Sequence, residues 1–155
     1  GRGPDMDPEG PGIVDHAAVG NGGGELVLTN DPPTAANVST ATLVTAAKNW
    51  MVRSLNPGTT GTYTLLESNT LLEGAQKAGG NAAVSLVGST SAVAFNGFGA
   101  TVPPGTTATF DFASNSGGAC APDGAVRCLK VMVSQGGQVR VCDPAVTAVG
   151  DDRGC

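Results

Sequence analysis

The sequence predicts a mainly β fold: antiparallel sheets ending in a disulfide-clamped C-terminal hairpin and tail. Three observations predict it. Gly and Pro total 34 of 155 residues (24 + 10), yet runs rich in Val, Thr and Leu separate their clusters. That is the texture of short strands joined by many turns, not of a low-complexity chain. No stretch carries a clean helical apolar stripe. All four cysteines fall in the last 36 residues, from Cys120 to Cys155.

The elements follow in chain order. Residues 1–24 read as a flexible linker, a tag remnant or a docked tail, because their Gly and Pro clusters break helix and strand alike. Residues 13–19 (IVDHAAV) form the one ordered-looking island there. Residues 25–155 read as one globular β domain, as the length suggests. Residues 25–29 (ELVLT) give a first strand, stopped by Pro32 and Pro33. Residues 34–48 are ambiguous, since Val38, Leu43 and Val44 fit neither period. Residues 50–55 and 62–68 read as strands, with Tyr63 and Leu65 on one face. Strands are expected at 81–87 and 91–95, before a turn at 96–99. A second turn, at 103–105, precedes a strand at 106–112 that points Ala108, Phe110 and Phe112 one way. The last hairpin pairs 129–134 with 138–142 across Gly136 and Gly137. It places Leu129, Val131 and Val133 on one face, and Val139 and Val141 on one face of its partner. This makes about seven or eight short strands by the alternation rule.

Four cysteines allow three pairings. The local one, Cys120–Cys128 with Cys142–Cys155, needs the least chain rearrangement, and each closed loop contributes roughly 2–4 kcal/mol. Disulfides imply an oxidising compartment. Zinc ligands come as closely spaced pairs, which separations of eight, fourteen and thirteen do not match. No signal peptide and no run of ~20 apolar residues is visible. The expectation is therefore an N-terminus removed by processing or by design.

Chemistry is sparse. The lone histidine, His16, has Asp15 beside it but no nucleophile motif. Glu67, Glu73, Asp151 and Asp152 read as solvated carboxylates, not a glycosidase pair. The Gly clusters lack the phosphate-cradle motif. Asn37-Val38-Ser39 is a formal glycosylation sequon. No catalytic residue, cofactor, metal or small-molecule substrate is expected, so the chain is not expected to be an enzyme.

Net charge is −5, and residues 1–24 supply −3 of it (Asp5, Asp7, Glu9 and Asp15 against Arg2). Half of the eight basic residues, Arg127, Lys130, Arg140 and Arg153, sit in the C-terminal block. Lys130 and Arg140 share a hairpin face, so Lys130, Arg140 and Arg153 are the candidate contacts for a partner or for DNA. DNA is disfavoured, because Asp143, Asp151 and Asp152 dilute the potential and no aromatic interleaves to stack on bases.

The C-terminal block also resembles a known family. Gly137-Gln138-Val139-Arg140-Val141-Cys142-Asp143-Pro144, then Gly150-Asp151-Asp152-Arg153-Gly154-Cys155, is similar to the ending of GspH/FimT-type minor pilins and pseudopilins. Their usual form is G-x-[VI]-R-x-C-[DN]-P followed by G-D-P-R-x-C. Phe95 to Gly99 resembles the family's Phe-to-Gly segment, and Trp50 with Val52 its W-x-V strand. Cys120 to Cys128 matches the small cysteine loop of the FimT/FimU branch. Asp152 departs from the pattern, where proline is usual. The resemblance implies a bacterial subunit whose long N-terminal helix, absent from these residues, anchors it in the inner membrane with the β domain in the periplasm. Counting that helix, the fold is α+β and pilin-like. The helix then packs in an extracellular pilus. The implied function is structural, in type IV pilus assembly and in a priming or tip complex, with other pilins as partners. The alternatives are a DNA-binding minor pilin for natural transformation and a minor pseudopilin of type II secretion.

Overall fold

The computed structural model describes residues 23–71 and 84–155. Its described residues form ten strands: β1 (Gly24–Thr29), β2 (Ala46–Ala47), β3 (Asn49–Leu55), β4 (Tyr63–Thr70), β5 (Val84–Gly88), β6 (Ala92–Phe95), β7 (Thr101–Val102), β8 (Ala108–Ser114), β9 (Leu129–Val133) and β10 (Val139–Cys142). They make two five-stranded sheets, β4-β3-β1-β6-β7 and β10-β9-β8-β5-β2. Every strand pairing is antiparallel. The mainly β expectation is met. The strand expected at 81–87 is described only from Val84, and residues 81–83, like 1–22, lie outside the described part.

The sheets face each other across one apolar seam. Leu28 and Val93 from the first sheet meet Leu86, Ala108, Phe110 and Val133 from the second, all buried. Alternation explains the set: Leu26 and Leu28 share a face of β1, and register carries that face to Trp50 on β3 and Val93 on β6. Scarce aromatics are concentrated here. Trp50, Phe95 and Phe112 border the cluster and Phe110 lies within it.

The first sheet is covered on its other face too. Val27, Met51 and Tyr63 pack under Val38, with Ala41 and Leu43 beside it. The covering chain is the stretch that showed no period. It lies across the sheet in turns, so neither a helical nor a strand pattern applies. Its anchors are polar. Thr29 Oγ1 donates to Thr42 O (2.8 Å), the Thr42 N–H donates to Asp31 Oδ2 (2.7 Å), and the Lys48 N–H donates to Asn30 Oδ1 (2.9 Å).

Beneath that cover lies a buried ion pair. Arg53 Nε sits 3.2 Å from Glu25 Oε2, and the two residues are 6% and 4% exposed. They are direct cross-strand neighbours. Arg53 also donates through Nη1 to Val38 O (2.8 Å), and its guanidinium lies 3.8 Å from the centre of the Tyr63 ring. One side chain thus binds the sheet to its cover. Removing one partner of a buried pair leaves the other charge uncompensated, whereas an apolar pair of similar volume is close to neutral.

Two predictions follow from this cluster. Glu25→Ala should destabilise the domain by roughly 3–5 kcal/mol in urea unfolding, and Glu25→Leu with Arg53→Met should recover most of that. Tyr63, the sole tyrosine, has its pKa raised above the ordinary 10.0, first by burial and then by the Glu25 charge, with Arg53 opposing. A raised folded-state value keeps its contribution fully present below the unfolded pKa and loses it as pH climbs through the folded one. Ultraviolet titration should give a native midpoint above 10 that falls on adding denaturant.

Candidate functional site: the clamped C-terminal block

Two cysteine loops sit side by side at the end of the second sheet. Cys120–Cys128 closes the first (Cα–Cα 5.5 Å) and Cys142–Cys155 the second (Cα–Cα 5.1 Å). The first is a compact turn, in which the Ala121 N–H donates to Val126 O (2.7 Å) and the Gly124 N–H to Cys120 O (3.0 Å). A Cβ on Gly124 would collide with the Ala119 carbonyl, so only glycine fits.

Asp143 joins the loops. Its carboxylate accepts Arg127 Nε from the first loop (2.8 Å) and the Ala145 N–H from its own (2.9 Å). Its N–H donates to Arg153 O (2.7 Å), which lays the tail beside the end of β10. The Asp143 side chain is 6% exposed and that of Arg127 is 66%. The carboxylate therefore depends on its partners, while the arginine side chain is mostly in water.

The folded chain resembles known structures in its path. No family model and no curated protein sequence matches it. It is similar to two crystal structures of the type IV minor pilin FimU from Pseudomonas aeruginosa PAO1. Identity is 17% in both, covering 80% of this chain and 73% and 77% of those chains, with TM-scores of 0.47 and 0.45.

The cations singled out in the sequence all have partners. Register puts Lys130, Met132, Arg140 and Cys142 on one face of the hairpin. Lys130 Nζ lies 3.5 Å from Asp111 Oδ1. Arg140 Nη2 donates to the backbone carbonyls of Asp152 (2.9 Å) and Gly154. Arg153 grips Asp151 with two bonds, Nε to Oδ1 (3.0 Å) and Nη2 to Oδ2 (2.7 Å). That fork, helped by the Arg153 N–H, lowers the Asp151 pKa to about 2. Sequence reasoning named these three cations but missed Asp151 as the partner of Arg153 and Asp143 as the partner of Arg127. The signal available was position alone, since each carboxylate lies next to a cysteine or two residues from an arginine.

No group of three or more His, Cys, Asp or Glu among the described residues could hold a metal. His16 and Glu73 lie outside the described residues. Asn37, in the sequon, uses its side-chain amide on Pro32 O (2.9 Å).

The second feature is a groove. Between the sheets lies an apolar hollow of about 290 Å³, lined by Leu26, Leu28 and Trp50 on one side and Leu86, Phe110, Phe112 and Val131 on the other. The same face of the second sheet continues outward to Val139 and Val141, which pair with Val133 and Val131 and stay largely exposed.

Opening Cys142–Cys155 should release the tail first. In hydrogen exchange with reductant, amides of residues 143–155 should lose protection while those of β1 and β3 keep theirs. Asp151 gives a pH test. Its contribution is present above the unfolded value of 3.8 and is lost only as pH falls toward about 2. Carboxyl NMR should show its titration there, returning toward 3.8 in Arg153→Gln.

Proposed function

We propose that this chain is the globular domain of a minor pilin that takes part in type IV pilus assembly, within the priming or tip complex. The carrying observation is that eight positions of the C-terminal motif have a mechanical job. Gly137 turns the hairpin at φ 84°, and a Cβ there would strike the Gly99 carbonyl. Arg140 holds the tail carbonyls, Cys142 and Cys155 close the loop, and Asp143 ties it to the first loop. Gly150 makes the last turn at φ 84°, and Asp151 with Arg153 stiffens it. The block is a built, rigid surface without nucleophile–base geometry, as suits a subunit that works by contact.

The groove supports the same reading. The resemblance implies a long helix ahead of the β domain, and β1 carries Leu26 and Leu28 into the groove floor. A helix of that kind laid between the sheets would cover Trp50, Phe112 and Val131. The two disulfides fit assembly outside the cytoplasm. The Cys120–Cys128 loop is the feature that favours the pilus branch over a type II secretion pseudopilin. DNA as the ligand gains no support from Lys130 and Arg153, whose charges Asp111 and Asp151 already pair.

Deletion of the gene should abolish or sharply reduce surface pili, with recovery on complementation. The protein should co-purify with other minor pilins. Normal piliation in the deletion strain would overturn the reading, and a neighbourhood of secretion genes would move it to the pseudopilin.

A further inference from the structure

β10 is the edge strand of the second sheet. The Ser134 N–H donates to Gln138 O (2.9 Å). Antiparallel alternation then turns the backbone groups of Arg140 and Cys142 toward β9, and those of Val139, Val141 and Asp143 outward. One outward position is already in use: the Asp143 N–H donates to Arg153 O (2.7 Å), in a parallel bridge to Gly154. The edge therefore accepts an added strand, and the tail supplies one only at its last residue.

The remaining edges of the described sheets are blunted. β2 and β7 are two residues long, and β4 carries a register shift opposite Val52 and Arg53. Short strands and bulges are the usual ways of closing an edge. β10 has neither. Val139 and Val141 are 61% and 58% exposed and extend the apolar face. Arg140, between them on the opposite face, bonds only to carbonyls, and no carboxylate pairs with it among the described residues.

We propose that β10 binds an extended segment of another polypeptide by strand addition at Val139 and Val141, a segment alternating apolar residues with a carboxylate opposite Arg140. The valines give the incoming strand an apolar face, the outward amides give it hydrogen bonds, and the guanidinium selects its charge. A second copy fits less well. Antiparallel pairing of β10 with itself about Arg140 would set two guanidiniums opposite each other, and like charges so placed repel. The inference does not depend on the pilin reading.

Nitrogen-15 NMR of the full chain tests it, with the blocked peptides STVEVTS and STVKVTS as probes. The glutamate peptide should shift and protect the amides of Val139 and Val141, and the lysine peptide should bind about tenfold more weakly or worse. Val139→Pro removes only an outward N–H, which an edge strand tolerates. It should abolish the response with both disulfides intact. The two-peptide comparison needs no variant. Three results would overturn the proposal: no response at Val139 and Val141 at millimolar peptide, equal response to both peptides, or self-association without peptide that Val139→Pro removes.

Discussion

The two sheets share one apolar seam, and among the described residues it closes on one side only. Leu28, Val93, Leu86 and Phe110 fill the closed side and are almost wholly out of water. Toward Phe112, Val131 and Val141 no described residues form a layer facing the second sheet. With one Trp, one Tyr and four Phe in 155 residues, the chain has few large side chains with which to span that gap. Large rings bury the most apolar area per residue, and Trp50, Phe110 and Phe112 are all placed along this seam. The first sheet, by contrast, is covered twice, by the second sheet and by the 31–44 crossing. Among the described residues that asymmetry leaves the second sheet less covered than the first.

The C-terminal block shows how few interactions define a rigid surface once covalent closure limits the chain. Cys142–Cys155 joins two residues thirteen positions apart. Around that bridge, Asp143, Arg140 and the Asp151–Arg153 fork each satisfy backbone groups or charges that a loose loop would leave to water. Exposed ion pairs contribute little to stability individually. Their role here is geometric: they fix the tail beside the end of β10. The Asp151 fork engages Arg153, a cation that charge counting alone would offer to a polyanion.

Much of the fold was legible because alternation reports a half-buried sheet directly. β8 and the β9–β10 hairpin carry their inward residues at every second position, and β1 and β3 appear where the apolar runs are. The unreadable parts have physical reasons. β2 and β7 are two-residue strands, too short for any period and held by their neighbours. The 34–48 stretch covers a sheet face as irregular chain, with Val38 and Leu43 turned to one cluster and Val44 to another. Glu25 and Arg53 are polar positions in strands, and nothing local distinguishes a buried pair from two solvated charges. At the site, the sequence placed Lys130 and Arg140 on one face, but their partners come from β8 and from the returning tail, which only the fold brings near.

The open seam is tested most directly by an environment-sensitive apolar dye added to the native 155-residue chain, with Trp50, the sole tryptophan, as the energy donor. An open groove lined by Trp50, Phe112 and Val131 predicts saturable dye emission excited through Trp50 under fully native conditions. No binding, or dye emission without transfer from Trp50, would contradict a groove at this place between the sheets.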